Sequence, residues 1–384
     1  MKIDVQGTVA DGFEKVRDAF AANWDDVEVG ASVCIVRDGE TVVDLWGGYQ
    51  DRDGTRPWER DTLVNVYSTT KGLATLAVAR LHEDGGIDYA APVAEYWPEF
   101  AQAGKGAVTV AQLLSHQAGV CGVETRLTVE DLYDWEKMTS LLAAQRPLWP
   151  LGEGGGYHAV TWGYLPGELV RRITGKSLGA YTRETITGPL GADFWIGLPE
   201  SEHGRVSDLI GPNHARPTTA SQMPGTGEPA GEPSRLFQLA LQNPSIRPFK
   251  DACSAAWRSA EISAANGQAN ARGIATVYGA CVGPDPIVGP ASLAAACQIE
   301  IEDQLDLVLQ TDTRRSRGFI MNSGGAYGPN LASFGHGGAG GSLGFADPDA
   351  RVGFGYAMNQ MQPGVPRVTR SGRLVAALYA CLGG

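Results

Sequence analysis

Ser68-Thr69-Thr70-Lys71 places a hydroxyl three residues ahead of an amine. It stands where an apolar lead-in becomes an Ala- and Leu-rich helix, NVYSTTKGLATLAVARL (65–81). Residues i and i+3 share a helix face, so the Lys71 amine can lie beside the Ser68 hydroxyl. A helix N-terminus adds unpaired N–H groups and the positive end of the dipole. A serine with a base on one side and a donor for a developing oxyanion on the other has the parts of acyl transfer. The same stretch also fits a serine N-cap followed by a solvated lysine, so other segments must decide.

Two segments add to it. EGGGYHAVTWGYLPGELVRRITG (153–175) presents Tyr157 after a glycine run and ahead of a helix. FGHGGAGGSLGFADPDARVGFGYAMNQ (334–360) presents His336-Gly337-Gly338-Ala339 beside strand-like runs, where glycine lets a ligand approach the backbone.

The elements that must position these residues follow from periodicity. Phe13, Val16, Phe20 and Trp24 predict an amphipathic helix with Asp11 as its N-cap. ASVCIVRDG (31–39) and TVVDLWGGY (41–49) predict a hairpin turning at Asp38-Gly39. The helix from Ser68 should end near Asp84, before Gly85-Gly86. Residues 109–119, 128–146, 159–175 and 234–300 read as mainly helical, whereas LDLVLQ, RGFIMN, GSLGFAD and RVGFGYAMN read as short strands. RSGRLVAALYACL closes the chain as a helix. Residues 211–233, rich in Pro and Gly, read as a long connection or a substrate-covering lid. The expected fold is α/β (α+β): an antiparallel sheet flanked by terminal helices, with a mostly helical domain inserted. Residues 1–67 and 301–384 would form the sheet domain, 68–300 the helical one, and the active site would lie at their interface.

Composition sets bounds. The 384 residues carry a formal charge of −12, against sequence-independent binding to nucleic acid or anionic membrane. No run approaches the length of a membrane span, and the N-terminus lacks the apolar core of a signal peptide. The six cysteines form no C-x-x-C pair and have no histidine at metal-ligand spacing, which suggests reduced thiols in a cytoplasmic protein without a metal or other cofactor. Homo-oligomerisation is left open.

In order and spacing, Ser68-Thr69-Thr70-Lys71, LLSHQAG (113–119), Tyr157-His158-Ala159 and His336-Gly337-Gly338 resemble the serine β-lactamase and penicillin-binding-protein superfamily. NVYSTTKG, YHAVTWG and GHGGAGGSLGFADP look more closely like the family VIII carboxylesterases, the esterase branch related to class C β-lactamases. The resemblance implies a β-lactamase-like fold and a serine carboxylesterase acting on short-chain or aryl esters through an acyl-enzyme. Ser68 would be the acylated nucleophile, Lys71 the lysine that orients and deprotonates it, and Tyr157 the proton shuttle. The N–H groups of Ser68 and Ala339 would form the oxyanion hole, and His336, Gly337, Gly338 and His158 would meet the substrate.

Whether Lys71 or Tyr157 is the base stays open at this level. Bringing a phenol from pKa ~10 to ~7 takes ~4 kcal/mol, and one cation at ~4 Å supplies about that, so a partly ionised Tyr157 is an expectation. Two departures from the lactamase pattern point to neutral esters: Ala159 where Asn is frequent, and His336 where a fixed lysine is frequent. An acyltransferase or peptide cyclase, or an amide or β-lactam hydrolase, remains the alternative. Gly340-Gly341-Ser342-Leu343-Gly344 matches the nucleophile elbow of α/β-hydrolases, but a strand rather than a helix is expected after it, so Ser342 reads as a decoy.

Overall fold

The computed structural model describes residues 3–25, 28–211, 233–362 and 369–383. The chain starts with β1 (Gln6–Val9), α1 (Glu14–Ala21), the hairpin β2 (Gly30–Arg37) and β3 (Glu40–Gly48), then β4 (Leu63–Asn65) and α2 (Thr70–Glu83). The hairpin turns at Asp38 and Gly39, with φ of +53° and +83°, the pair of positive values that a type I′ hairpin turn requires. The expected Asp11 cap is not used. Phe13 occupies the N-cap without a side-chain bond, and the Glu14 carboxylate folds back to accept from Gly12 N–H instead.

The middle of the chain is mainly helical: α3 (Val93–Tyr96), α4 (Val110–Leu114), α5 (Trp135–Ala144), α6 (Tyr164–Thr174), α7 (Leu178–Thr182), α8 (Arg235–Leu241) and α9 (Ala255–Ser259). It also holds β5 (Phe194–Trp195), β6 (Val206–Ser207) and β7 (Gln268–Ala269), which join β4 in a small sheet of order β5-β7-β4-β6. Periodicity did not reveal these strands, because two or three residues are too few to display it. α10 (Ala271–Val282) and α11 (Pro290–Ala296) follow. Of the 211–233 connection, all but its two end residues lies outside the described residues.

The last quarter supplies β8 (Ile299–Leu305), β9 (Asp312–Ser316), β10 (Ile320–Met321), β11 (Phe334–Gly337), β12 (Leu343–Asp347), β13 (Val352–Met358) and α12 (Arg370–Leu382). LDLVLQ is not the expected strand. Only Leu305 belongs to β8, and residues 306–310 form a turn closed by Gln310 N–H on the Asp306 carbonyl. Nine strands form one antiparallel sheet in the order β1-β3-β2-β13-β12-β11-β10-β9-β8, so the two chain ends meet at the β2–β13 pairing.

The sequence of β13, VGFGYAM, explains how both faces of the sheet are covered. Phe354 and Tyr356 enter a core with Val16 and Phe20 of α1 and Leu374 and Leu378 of α12. Gly353 and Gly355 face α10, where an added Cβ would lie 2.1 Å from Gly279 N and 2.2 Å from Ala271 O. Only glycine admits a helix this close. Among the described residues no helix is long and apolar enough to cross a membrane.

Candidate active site

Ser68 lies in a single 3₁₀ turn, Tyr67–Thr69, that leads directly into α2. Tyr67 has φ +43°, a conformation that L-residues adopt at a cost. The turn is pinned by Gly267, the residue before β7: Val66 N–H donates to Gly267 O at 2.9 Å, and Gly267 N–H donates to Thr70 Oγ1 at 2.9 Å. Thr70 Oγ1 in turn donates to the Tyr67 carbonyl.

Three of the expected residues converge there. Tyr157 O–H donates to Ser68 Oγ at 2.7 Å, and Lys71 Nζ lies 3.1 Å from the same oxygen. Lys71 Nζ also reaches Ala159 O at 2.8 Å and Ala264 O at 2.9 Å. A neutral amine satisfies this set: two N–H groups donate to the carbonyls, and the lone pair receives the Ser68 proton. Burial holds the Lys71 amine well below the ordinary lysine range, and the Arg315 guanidinium adds to the effect. Tyr157 moves the other way. Burial pushes its phenol up to about 12, only partly offset by the Ser68 bond and Arg315. The expected partly ionised tyrosine is therefore corrected. Desolvation, which the two-charge argument omitted, keeps the phenol protonated and makes the amine easier to deprotonate.

The histidines divide by their partners. His336 Nδ1 donates to Gly337 O at 2.7 Å, which leaves Nε2 as a bare acceptor with no partner among the described residues. Burial, then the nearby Lys71, lowers its pKa to about 3, so the ring stays neutral near pH 7. His158 departs from its expected place at the substrate. Its Nε2 accepts from Val120 N–H at 3.2 Å, its Nδ1 donates to Gly156 O at 2.6 Å, and the side chain is wholly buried. His116 Nδ1 accepts from His158 N–H at 3.0 Å, and its ring lies 5.2 Å from that of Tyr157. Both histidines hold the Tyr157 segment.

Beyond β11 the chain makes a tight turn. Gly338 N–H donates to Ser342 O at 2.8 Å, and Gly341 N–H to Gly338 O at 3.1 Å. Ser342 Oγ donates to Val66 O at 2.9 Å and lies 3.1 Å from Thr69 Oγ1. It thereby ties this turn to the Ser68 turn. Gly338 sits so close that an added Cβ would be 2.2 Å from Val66 O. β12 follows Ser342, so the strand–turn–helix context of a nucleophile elbow is absent. Ser68, Tyr157, His336, Ala339, Leu241 and Leu309 line a cavity of about 410 Å³. A larger cavity of about 850 Å³, lined by Cys281, Leu293, Cys297 and Phe334, contains none of these groups. Among the described residues no His, Cys, Asp or Glu cluster could hold a metal ion.

The chain matches the family described as Beta-lactamase over residues 16–379. It belongs to the β-lactamase family. It is 35% identical over 341 residues to Esterase/beta-lactamase LipL of Mycobacterium tuberculosis, an alignment covering 86% of this chain and 77% of that protein. Among solved structures, it is similar to a family VIII carboxylesterase at 47% identity and a TM-score of 0.90, covering 98% of this chain and 100% of the other. A penicillin-binding-protein homologue from Caulobacter crescentus aligns at 42% identity and a TM-score of 0.89, with the same coverage. These likenesses support the mixed α/β, β-lactamase-like fold and the esterase branch that the motifs suggested.

Within this β-lactamase-family site, two neighbours of Tyr157 escaped the sequence reading. Asp306 and Arg315 form a buried ion pair beside it. A signal for the first was present: Asp306 interrupts the apolar run Leu305–Leu309, and a carboxylate buried among apolar residues needs a cation and hydrogen bonds.

Proposed function

We propose that the chain is a serine carboxylesterase that cleaves short-chain or aryl esters by double displacement, without a cofactor. Lys71 takes the Ser68 proton as Oγ attacks the ester carbonyl. The N–H groups of Ser68 and Ala339 receive the oxyanion, and Tyr157 protonates the departing alkoxide and is reprotonated from the Lys71 ammonium. Water then enters by the reverse path: its proton passes to the same groups, its oxygen attacks the acyl carbonyl, and Ser68 leaves as the hydroxyl. The observation that carries this reading is the geometry at one oxygen. Ser68 Oγ accepts from a protonated phenol at 2.7 Å and faces, at 3.1 Å, an amine that burial makes easier to deprotonate.

His336, Gly337 and Gly338 form the substrate edge opposite Tyr157. A neutral imidazole there, where a fixed cation would suit an anionic substrate, favours uncharged esters. Leu241 and Leu309 supply the apolar wall for the acyl or aryl group. All six cysteines are unpaired, which supports the cytoplasm as the compartment. A second reading, hydrolysis of β-lactams, draws on the double name of the M. tuberculosis relative. One panel separates the readings: p-nitrophenyl acetate, butyrate and octanoate, nitrocefin, and an ester with added amine acceptor. Ester turnover with little nitrocefin cleavage supports the esterase. Nitrocefin cleavage at a comparable rate supports the second reading, and dominant aminolysis indicates a transferase.

A further inference from the structure

We propose that the buried Asp306–Arg315 pair is the positioning device of Tyr157: its carboxylate grips the tyrosine's main chain while its guanidinium lies on the tyrosine ring. The inference rests on the reading of Tyr157 as the proton donor to the leaving group.

One carboxylate organises the whole corner. Asp306 Oδ1 accepts from Tyr157 N–H at 3.2 Å, from Val308 N–H at 2.8 Å and from Leu309 N–H at 2.7 Å. Oδ2 accepts from Arg315 Nη2. One residue further on, Leu307 N–H donates to Gly155 O at 3.0 Å. The turn after β8 thus holds both Gly155 and Tyr157 in place. Arg315, on β9, places Cζ 5.5 Å from the centre of the Tyr157 ring. Its Nε and Nη1 are buried and have no hydrogen-bond partner among the described residues. The guanidinium therefore has one acceptor and one aromatic face, a cation–π arrangement.

A buried ion pair adds little stability over a well-packed apolar replacement, so what the pair holds is the better account of it. The groups around the ring are few. Lys71 Nζ lies 4.8 Å from its centre, and the rings of His116 and His336 lie 5.2 and 6.1 Å away. His158 packs behind His116. Burial keeps the three imidazoles neutral, and Asp306 is the carboxylate among these groups. Arg315 is the permanent cation. Its charge opposes an ammonium on Lys71 and favours a transient phenolate on Tyr157, the two states that acylation and leaving-group protonation require.

The test uses the full chain with Arg315→Lys, Arg315→Gln, and the double variant Asp306→Asn/Arg315→Met, which leaves no buried charge unpaired. The readouts are kcat and KM on p-nitrophenyl butyrate across pH, and the rate of Ser68 labelling by a fluorophosphonate. In the double variant and in Arg315→Gln, kcat should fall about 30-fold or more with KM within about threefold. The acid limb of kcat/KM should move up by about one pH unit, because removing a cation eases protonation of Lys71. Arg315→Lys keeps the charge and should leave that limb in place, with a smaller loss in kcat. A charge-removing variant with kcat within about twofold of the parent overturns the proposal. So does a loss of kcat with an unmoved acid limb, which would make the pair packing alone. Should both charge-removing variants fail to fold, an acid limb moved in Arg315→Lys overturns it, and an unmoved limb with reduced kcat supports it. If Ser68 of the parent protein is not labelled, the esterase reading itself fails, a result distinct from either.

Discussion

Replacing Lys71 with methionine keeps the unbranched side chain as far as Cε and removes the terminal nitrogen. Three contacts go with it: Ser68 Oγ at 3.1 Å, Ala159 O at 2.8 Å and Ala264 O at 2.9 Å. The catalytic cost is that of a general base, about 10²–10⁴ in rate, or roughly 3–5 kcal/mol of barrier. The structural cost is smaller. Two buried carbonyls lose their donor at about 1–3 kcal/mol each, offset in part because the amine no longer has to be buried. Hydrolysis of p-nitrophenyl butyrate from pH 5 to 10 separates the two effects. In the parent protein kcat/KM should rise as Lys71 loses its proton, well below the ordinary lysine value, and then stay level. The active form has Lys71 neutral and Tyr157 protonated, and Tyr157 ionises only near 12. Lys71→Met should lose at least about a hundredfold in kcat/KM and the rising limb with it. The folded chain binds fewer protons at Lys71 than the unfolded chain. This group's contribution to stability therefore grows as pH rises from the lowered value to the ordinary lysine range. A folded Lys71→Met protein within tenfold of the parent, or with an unchanged pH profile, would refute Lys71 as the base.

Ser342→Ala removes the link from the Ser342 hydroxyl to Val66 O and Thr69 Oγ1. At about 1 kcal/mol for such a bond, kcat should fall by less than about tenfold, whereas Ser68→Ala should abolish turnover; the reverse order in steady-state assays would make Ser342 the nucleophile. Lys105 is buried and donates to Gln102 O at 2.9 Å, Ala143 O at 2.9 Å and Gln145 O at 2.6 Å, so its three N–H groups close the end of α5. Lys105→Met should lower unfolding free energy by about 3 kcal/mol in denaturant titrations, with kcat per folded molecule unchanged. Gly353→Ala drives a Cβ to 2.1 Å from Gly279 N; it should cost about 3 kcal/mol or more in the same titration, and an unaltered midpoint would contradict the close packing of α10 on β13.

Some of this fold and site is plain in the sequence. The Asp38-Gly39 hairpin and the α2 helix announce themselves through local turn chemistry and periodicity, and Ser68 and Lys71 lie within one turn of each other. Tyr157 joins them only through the tertiary fold, so the order and spacing of whole motifs, rather than helix periodicity, pointed to it. The misread features all depend on long-range burial. LDLVLQ has the apolar content of a strand, yet Asp306 caps a turn and pairs with Arg315. The partners of His158 are the main-chain groups of Gly156 and Val120, which no residue identity discloses. The ionisation of Tyr157 is set by the loss of water around it, a quantity absent from any distance between two charges.

The most direct test is to quench the protein during turnover of a slow aryl ester and map the acyl mass by peptide mass spectrometry. One acyl group on the peptide that contains Ser68, absent in Ser68→Ala and longer-lived in Tyr157→Phe, is the predicted result. An acyl group on another residue, or turnover by Ser68→Ala at the parent rate, would contradict the account.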